Sequence, residues 1–455
     1  MRFYDGNIER TMFMSKNTEI FEKAKILMTG GGCAGGRIHK VLGMPFYIDH
    51  ADGSHVFNVD GEDFIDYHCG AGALLFGWNH PRIREAIMKC IDKGFYMNFD
   101  SEYTLEFAEL FTKLVPTVEK IRLTNSGTEA TLAAIRAARA YTGKNLIIKM
   151  DGHFHGMHEM IWFNGGCGTD IDEFGETRTV KPAVAGFPRD AEKNVKLIEF
   201  NNIEAVKHVF KKYRGQIAAI IMEPVNYDCG CVMSTKEYMR EVRELCDKEG
   251  ILLIFDEVIS GLRFRPGSAQ GYYGVKPDLS TFAKAVANGF SLALVGGKSE
   301  VMDMFNPVGP VVCSGTSSGN LISVMVAIEC IKMALEPGFY DKIEKTEKIL
   351  CGEIDGLFKK HGIPGHIRSM GAQFAFYFGY EDPMLDYTLS ETVKLYRPEQ
   401  YRQFTKKCLE ENIYMFDGGG KTFPQHNGFT IAHTEDDIAV TLEKTDKIFS
   451  SLKNM

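Results

Sequence analysis

Lys284 is a lysine surrounded by small and apolar residues. It lies in the stretch STFAKAVANGF, residues 280–290, with Phe282, Ala283 and Val286 beside it in the sequence. Because a lysine ammonium group is usually solvated at a protein surface, two interpretations compete. Lys284 is either an ordinary surface lysine on a short helix, or a lysine whose amine is desolvated so that it can act as a nucleophile or form a Schiff base.

The acidic pair that ends LLIFDEV, Asp256 and Glu257, is a second candidate. The apolar run before it predicts a buried strand, and α/β sheets bind ligands at the carboxyl ends of their strands. An ionised aspartate there needs a cation or strong donors to offset its desolvation. A protonated pyridine nitrogen at about 4 Å would gain roughly 4 kcal/mol at an effective dielectric constant of about 20, before desolvation is subtracted. The alternative is an acid in a surface turn.

The segment LTNSGTEA falls where a strand should lead into a helix. Ser126, Gly127 and Thr128 are expected to present backbone N–H groups and two hydroxyls at the helix N-terminus, which favours an anion such as phosphate. The alternative is a capping box between Ser126 and Glu129. The two interpretations are compatible with each other.

These three features together suggest pyridoxal phosphate. The segment between Asp256 and Lys284 is long enough for a crossover and a return to the same sheet edge. Pyridoxal phosphate needs a cradle for its phosphate, an acid for its ring nitrogen and a lysine for its aldehyde.

From about residue 80, apolar runs alternate with helical patterns. The runs NLIIKMDG, QIAAIIMEPV and GILLIFDEV have no polar alternation, which is typical of strands buried on both faces of a parallel sheet. The helix predicted between the last two places Tyr238, Val242 and Leu245 on one face and ends at Gly250. This order predicts a βαβ architecture.

The predicted organisation is α/β with a smaller α+β domain made from both chain ends. The large domain covers residues 80–335, and the small domain combines residues 1–79 with residues 336–455. PFYIDHADGSHVFNVDGEDFIDY predicts a small antiparallel sheet, and GAQFAFYFG predicts a strand. Helices are predicted near residues 340–360, at PEQYRQFTKKCLEEN and at EDDIAVTLEKTDKIFSSL.

Composition excludes several classes of protein. A net charge of −8 argues against a nucleic-acid partner, which would require a basic face. No apolar run is long enough to span a membrane, and the first residues lack the apolar core of a signal peptide. The 11 scattered cysteines fit reduced thiols, so we expect a cytoplasmic protein.

Two other motifs suggest different chemistry. CGC at residues 229–231 and HFHGMH at residues 153–158 contain metal-ligand types, but no second pair completes a site, so we expect no metal. Gly30, Gly32 and Gly35 fit G-x-G-x-x-G, which in dinucleotide-binding oxidoreductases follows a strand and opens a helix. Here a helix-like segment precedes the motif and a strand-like segment follows soon after.

The sequence also resembles the class III pyridoxal-phosphate aminotransferases from about residue 18 to residue 450. The motifs that carry this resemblance are NSGTEATLAAIRAARAYTG, DGHFHG, MEPV, LLIFDEVISGLRFRPGSAQ, FAKAVANG and GTSSGN. GGGCAGGR, ADGSHVFNVDGEDFIDY and IAHTEDDI are similar to the glutamate-1-semialdehyde aminomutase branch. The resemblance implies fold type I, a mostly parallel sheet with helices on both faces, and a homodimer with active sites at the interface.

The resemblance also implies roles for single residues. Lys284 matches the Schiff-base lysine, Asp256 the partner of the pyridine nitrogen, and Arg37 the arginine that holds the substrate carboxylate. The remaining implied cofactor contacts are the phosphate loop Ser126, Gly127 and Thr128, a phosphate contact across the dimer interface by Thr316, ring contacts by Phe154 and Val258, the neighbouring His155, Glu223 of the EPV motif, and Asp228, where the aminomutases carry an asparagine near the ring hydroxyl.

Two departures from the aminomutase pattern bear on the reaction. His426 stands in QHNGF where the aminomutases carry an acidic residue, and GAGALLFGWNH at residues 70–80 replaces their GSWGPMILGH. We expect both stretches near the substrate, so the sequence favours amino transfer between a carboxylate-bearing amino acid and a keto acid. Intramolecular transfer by an aminomutase is the alternative. A non-catalytic protein on this fold would be expected to lose Lys284 or Asp256, and both are present.

Overall fold

The computed structural model describes residues 16–164, 170–381, 388–417 and 422–452. The helical segments in these ranges are α1 Lys16–Leu27, α2 Cys69–Gly72, α3 Pro81–Asp92, α4 Glu102–Leu114, α5 Gly127–Thr142, α6 Ile203–Lys212, α7 Lys236–Glu249, α8 Ser268–Tyr273, α9 Ser299–Met302, α10 Leu321–Ala334, α11 Phe339–His361, α12 Leu389–Leu395, α13 Pro398–Glu410 and α14 Glu435–Leu452.

Strands in the same ranges form one large sheet and several small ones. They are β1 Ile38–His39, β2 Met44–Pro45, β3 Ile48–Asp52, β4 His55–Asn58, β5 Asp63–Asp66, β6 Lys120–Thr124, β7 Leu146–Met150, β8 Val195–Ile198, β9 Ile217–Met222, β10 Val225–Asn226, β11 Val232–Met233, β12 Leu252–Glu257, β13 Leu279–Phe282, β14 Ala293–Gly297, β15 Gly365–Met370, β16 Gln373–Phe378, β17 Ile413–Tyr414 and β18 His426–Gly428.

The large sheet has seven strands in the order β6-β14-β13-β12-β9-β7-β8. Neighbouring strands from β13 to β8 are parallel, and β14 is antiparallel to both of its neighbours. A mostly parallel central sheet was predicted from the unbroken apolar runs, and it is confirmed. Such a sheet places the ends of β9, β12 and β13 along one edge.

Helices cover both faces of this sheet. Adjacent residues of β9 point to opposite sides: Ile220 packs in one core cluster with Val242 of α7, and Ile221 packs in another with Ala134 of α5. The Ala-rich sequence of α5 lets this helix lie close to the strands, and α5 begins after its N-cap Ser126. Helix α7 ends at Gly250, whose φ of 61° suits a glycine C-cap, as predicted.

Two antiparallel-rich sheets belong to the smaller part of the molecule. One has the order β17-β5-β4-β3, and the other has the order β15-β16-β18. Because β17 pairs with β5, the two ends of the chain share a sheet. The Tyr67 hydroxyl also donates to Thr441 of α14 at 2.8 Å. These contacts support our proposal that residues 1–79 and 336–455 form one domain around a large domain of residues 80–335.

The glycine-rich stretch near the N-terminus follows α1, not a strand. It forms two short 3₁₀ turns, Thr29–Gly31 and Gly35–Arg37, and continues into β1. The strand and the helix that a dinucleotide-binding motif requires therefore do not flank Gly30, Gly32 and Gly35. In the described ranges, no helix combines the length and the apolar composition needed to cross a bilayer.

Candidate active site

Three predicted site residues meet where parallel strands of the large sheet end. Glu223 directly follows β9, Asp256 lies near the end of β12, and Lys284 comes two residues after β13. Asp256 is in register with Thr281 of β13. The parallel pairing of these strands thus brings two acids and a lysine to one edge of the sheet, which we call the cofactor edge.

Lys284 lies in a 3₁₀ turn in which its neighbours in the sequence are small or apolar. Its φ is 50°, and Ala283, Ala285, Val286 and Ala287 beside it are buried. Burial lowers the pKa of the Lys284 amine below its ordinary value. The nearby carboxyl groups, Asp228 first among them, act in the opposite direction, but the effect of burial is larger.

Asp256 is buried and is held by three hydrogen bonds. Its Oδ2 lies 2.8 Å from Nδ1 of His155, and its Oδ1 accepts from the Thr281 hydroxyl and from the Val258 backbone N–H, each at 3.0 Å. Burial lowers the pKa of His155 although the Asp256 carboxylate opposes this, so we infer a neutral ring that donates from Nδ1. The interpretation of Asp256 as an acid in a surface turn is wrong.

The turn before α5 contains half of the predicted capping box, because Ser126 caps the helix but the Glu129 side chain binds the N–H of Asn125 and not that of Ser126. Ser126 Oγ accepts from the Glu129 N–H at 3.3 Å, and Glu129 Oε2 accepts from the Asn125 N–H at 2.7 Å. The N–H groups of Gly127 and Thr128 stand in the first helical turn, where the helix itself offers no acceptor. This end of the helix therefore keeps donors that an anion can use.

Gly127 lies against the apolar side chain of Val258. A Cβ atom on Gly127 would lie 3.0 Å from a methyl group of Val258. The absence of a side chain at this position therefore lets the start of α5 approach the end of β12 closely. This contact links the predicted phosphate loop to one of the two residues predicted to contact the ring faces.

Phe154 and Glu223 are joined by a backbone hydrogen bond. The Phe154 N–H donates to Glu223 Oε1 at 2.9 Å, and the Phe154 ring keeps 39% of its surface exposed. Burial raises the pKa of Glu223 well above the ordinary value of a glutamate, and the carboxyl groups of Asp228 and Asp256 raise it further. Among the described residues, none makes a hydrogen bond to Glu223 Oε2.

Asp228 and His426 lie next to each other although they come from distant parts of the sequence. His426 Nδ1 is 3.8 Å from Asp228 Oδ1, and the His426 ring stacks on Phe416 at 5.5 Å. Asp228 is also the carboxyl group that raises the pKa of Lys284 most. His426, one of the two departures from the aminomutase pattern, therefore lies beside Asp228 and adjoins the cofactor edge.

Arg37 and Thr316 are both exposed in the single chain. Arg37 is exposed at the end of a 3₁₀ turn, and none of the described residues forms an ion pair with its side chain. Thr316 is also exposed, in a turn whose Ser318 hydroxyl accepts from the Asn125 amide at 3.2 Å. Thr316 thus lies near the phosphate loop without being brought into it.

Sequence reasoning missed three residues that shape the site. Thr281 donates to Asp256, Asn288 ties the lysine turn to residues 75–77, and Arg263 is wholly buried beside the site. Thr281 could have been found, because a parallel neighbour of β12 must place some residue opposite Asp256. Neither the spacing nor the type of Arg263 and Asn288 indicated that these two residues contribute to the site.

The chain matches known proteins over nearly its whole length. A family model described as aminotransferase class-III matches residues 38–445. The structure is similar to an omega-transaminase from Sphaerobacter thermophilus, with 26% identity and a TM-score of 0.86, covering 96% of this chain and 98% of that one. It is also similar to a transaminase with PLP bound, with 25% identity and a TM-score of 0.85, covering 97% of this chain and 99% of that one.

A glutamate-1-semialdehyde-aminomutase from Pseudomonas aeruginosa PAO1 shares the fold. Its identity is 18% and its TM-score is 0.83, covering 96% of this chain and 94% of that one. The chain belongs to the aminotransferase class-III family, as predicted, a family of pyridoxal-phosphate-dependent enzymes of fold type I. At these identities the neighbours include both transaminases and an aminomutase, so family membership alone does not choose between the two reactions.

The residues at the cofactor edge fit pyridoxal phosphate. Buried apolar residues flank the lysine in the sequence, the buried aspartate is oriented by three donors, and a helix N-terminus with first-turn donors adjoins them. Glu223 Oε2 and His155 Nε2 are buried, and no described residue makes a hydrogen bond to either atom. Buried polar atoms of this kind are expected where a polar ligand supplies the missing bonds.

Proposed function

We propose that this protein moves an amino group from a carboxylate-bearing amino acid to a keto acid, with pyridoxal phosphate bound at the cofactor edge. The observation that carries the proposal is the convergence of Lys284, Asp256 and Glu223 at one sheet edge, with the lysine amine lowered in pKa. Pyridoxal phosphate, when bound, carries the amino group and takes up the electron pair released at the substrate carbon.

Each residue of the site has a separate part in this proposal. Lys284 would hold the aldehyde carbon, accept the substrate α-proton and return a proton to the cofactor. Asp256, oriented by His155 and Thr281, would keep the ring nitrogen protonated. The remaining proposed contacts are Ser126, Gly127 and Thr128 with the phosphate, Phe154 and Val258 with the ring faces, Glu223 and Asp228 near the ring, and Thr316 of the partner subunit with the phosphate.

Transfer between two molecules is favoured over intramolecular transfer by His426 and its neighbours. His426 is buried in β18 and lies 3.8 Å from Asp228, which is itself close to Lys284. An aminomutase must hold a diamino intermediate while this species binds again in the opposite sense, so it should keep its acidic contact at this position. A histidine paired with an aspartate offers the substrate different hydrogen-bond donors and a different charge from those of the acidic residue in the aminomutases.

Arg37 is proposed to hold the substrate carboxylate. Its segment is fastened near the site, because Asp417 Oδ2 accepts from the backbone N–H groups of Lys40 and Val41 at 3.0 and 3.2 Å. Asp417 directly follows Phe416, the residue on which His426 stacks. The planar guanidinium of Arg37 can bind a carboxylate through two parallel hydrogen bonds.

The proposal includes a homodimer with active sites at the interface. Large apolar side chains are exposed on the single chain around the site, for example Phe99 with 74% and Val312 with 65% of its surface exposed. Val312 lies four residues before Thr316, and Met157 near Phe154 is exposed as well. Such side chains favour burial against a second copy of the chain.

A cytoplasmic location is also part of the proposal. Its support is that the cysteines of the described residues are free thiols, most of them buried. Free, scattered thiols are typical of proteins from reducing compartments.

A single-turnover experiment tests the proposed reaction. An amino donor alone should yield one keto product per site and then stall, and turnover should resume when a keto acid is added. Lys284→Ala, loaded with pyridoxal phosphate, is the matched control and should give no keto product. Sustained conversion of glutamate-1-semialdehyde without any acceptor would contradict the proposal and establish the aminomutase alternative.

A further inference from the structure

Arg263 is a fully buried arginine whose hydrogen bonds go to neutral oxygens. Its Nε donates to the Ile259 carbonyl at 2.7 Å, its Nη1 to the Leu74 carbonyl at 3.1 Å, and its Nη2 to the Gly72 carbonyl. When the side-chain amide of Gln373 is flipped so that both its oxygen and its nitrogen have hydrogen-bond partners, the oxygen also accepts from Nη1 at 3.0 Å. Among the described residues no carboxylate forms an ion pair with Arg263, which is unusual for a buried charge.

One of these carbonyls, that of Gly72, belongs to a segment with a left-handed backbone, and the Leu74 carbonyl lies two residues after it. The four residues of α2 all have positive φ: Cys69 47°, Gly70 63°, Ala71 56° and Gly72 69°. Glycine adopts this region freely, but Cys69 and Ala71 carry a Cβ atom that crowds the backbone there. The turn is therefore strained at two positions, and such strain persists only where the surrounding structure enforces it.

The surrounding structure holds this segment at both ends. Asp66 Oδ1 accepts from the N–H groups of His68 and Cys69 at 2.9 and 3.0 Å, where the turn begins. Asn288 Oδ1 accepts from the N–H groups of Leu75 and Phe76 at 3.0 and 3.1 Å, after the turn ends. Asn288 closes the short 3₁₀ turn that begins at Lys284, so the segment is fastened directly to the lysine turn.

The left-handed turn also faces His426. A Cβ atom on Gly72 would lie 3.0 Å from Nε2 of His426, and one on Gly289 would lie 3.6 Å from the Cβ of Ala73. The turn Cys69–Gly72 therefore lies against Arg263 and His426, and the residues directly after it lie against the turn of Lys284. We call α2 together with His426 the substrate wall.

We propose that Arg263 is a positioning residue, which clamps the left-handed turn Cys69–Gly72 so that the substrate wall keeps a fixed distance from Lys284. A guanidinium suits this role because one planar group reaches carbonyls on two segments at once. Its charge lies close enough to Lys284 to lower the pKa of the amine, in addition to the larger effect of burial. The proposal rests on the proposed function, because it assigns the clamp to the binding of the amino donor.

Arg263→Met in the enzyme loaded with pyridoxal phosphate tests the clamp. We expect the cofactor absorbance to be retained and kcat/KM for the amino donor to fall ~10-fold or more, mainly through KM, because misplacement of a binding wall weakens substrate positioning. Amide hydrogen exchange should accelerate in residues 69–77 and stay unchanged in residues 279–283. A loss of kcat with unchanged KM, or unchanged exchange in residues 69–77, would overturn the proposal.

A double-mutant cycle with Ala71→Gly separates the clamp from a general contribution to stability. Glycine adopts the left-handed conformation without crowding, so the turn should depend less on Arg263. Arg263→Met should therefore reduce kcat/KM at least ~3-fold less in the Ala71→Gly background than in the wild type. An equal reduction in both backgrounds would mean that Arg263 does not hold the turn.

Arg263→Lys decides the question if Arg263→Met does not fold. Lysine keeps the charge but loses the planar fork, so KM should again rise and Ala71→Gly should again reduce the loss. Wild-type kinetics and wild-type exchange in Arg263→Lys would overturn the proposal. If the loaded wild-type enzyme converts no amino donor, the proposed function fails, and the exchange of residues 69–77 still tests the clamp.

Discussion

The cofactor edge and the substrate side of the site are assembled from different parts of the chain. Lys284, Asp256 and Glu223 come from neighbouring parallel strands of one sheet, whose pairing sets their spacing. On the side that we propose binds the substrate, which we call the substrate side, Arg37 comes from the N-terminal segment and His426 from a short strand near the C-terminus. The cofactor edge is therefore fixed by local sheet geometry, whereas the substrate side depends on long-range contacts between the chain ends.

Burial separates Arg37 from the other residues of the site. Asp256, Glu223 and His426 are buried, and the charged groups near Lys284 influence one another strongly because little water screens them. Arg37 is exposed, and no described residue pairs with its guanidinium. We therefore expect substitutions at the cofactor edge to abolish the chemistry, and substitutions on the substrate side to change which molecules react or how stable the small domain is.

Lys284→Ala should have the largest effect. Loss of the amine removes both the attachment point of the cofactor and the proton carrier, so we expect a loss of at least ~10⁴-fold in amino transfer. Borohydride reduction of the loaded wild-type enzyme, followed by peptide mapping, should place a pyridoxyl group on Lys284.

Lys149 provides the internal comparison for this mapping. It is also a buried lysine, with its Nζ donating to the Phe163 carbonyl at 3.0 Å, and burial lowers the pKa of its amine to about 8. A pyridoxyl group found on Lys149 instead of Lys284 would show that the catalytic lysine has been misassigned.

Asp256→Asn should cause the second largest loss of amino-transfer activity. The carboxamide keeps the size of the side chain but loses the negative charge that would stabilise a protonated ring nitrogen. We expect the rate of the donor half-reaction to fall by ~10²–10³-fold with the fold intact. The matched control is Thr281→Val, which removes only one hydrogen bond to Asp256 and should cost ~10-fold or less. Near-native turnover in Asp256→Asn would show that the pairing is wrong.

The contrast between the two regions also explains how much the sequence could predict. Asp256 and Lys284 were predictable because each follows an apolar run, and the carboxyl ends of parallel strands share an edge. The strands β7, β9 and β12 were predictable for the same reason, since their residues are buried on both faces. The left-handed turn at residues 69–72 was not, because the motif that contains Arg263 does not indicate that this arginine contacts a segment so remote in the sequence.

The residues whose roles were implied only by the family resemblance could be predicted less well than those at the cofactor edge. The contact between His426 and Asp228 could not be predicted, since nothing in either local sequence specifies a neighbour almost two hundred residues away. The roles of Arg37 and Thr316 stay predictions, because both side chains are exposed in the single chain. A homodimer would place further residues around them, and a single sequence does not contain the geometry of that interface.

Arg37→Ala should have an intermediate and selective effect. A charge-assisted hydrogen bond contributes roughly 1.5–3 kcal/mol, so kcat/KM for a carboxylate-bearing donor should fall ~10–100-fold. The decarboxylated analogue of that donor should be unaffected. Arg37→Lys should recover only part of the preference, because a single ammonium does not reproduce the planar fork.

Lys40→Ala is the control for Arg37. Lys40 is exposed on the same segment, so this variant removes a nearby positive charge without removing the guanidinium. Its kcat/KM should stay within about twofold of the wild type for both donors. An equal loss for both donors in Arg37→Ala, or no loss for either, would show that Arg37 does not bind the carboxylate.

His55→Gln should have the smallest effect, and it should affect stability rather than chemistry. His55 of β4 bridges two acids: its Nδ1 lies 2.7 Å from Asp63 Oδ1, and its Nε2 lies 3.0 Å from Asp437 Oδ1 on α14. Burial lowers the pKa of His55, but the hydrogen bonds and charges of Asp63 and Asp437 outweigh it, so the pKa stands above its ordinary value. This bridge ties the N-terminal strands to the C-terminal helix.

The sign of the pH dependence follows from that raised pKa. A group with a higher pKa in the folded state stabilises the fold fully below its unfolded pKa, here about 6.5, and the stabilisation is lost as the pH rises through the folded pKa. At pH 6, His55→Gln should therefore be about 1 kcal/mol less stable than the wild type, or roughly 1–2 °C lower in Tm. The difference in stability between the variant and the wild type should shrink toward pH 9, while cofactor binding should stay unchanged.

His50→Gln is the matched control, because His50 and its partner Asp49 are both exposed and their ion pair should contribute little to stability. A destabilisation by His55→Gln that does not vary between pH 6 and pH 9 would show that the protonated bridge does not join the two chain ends.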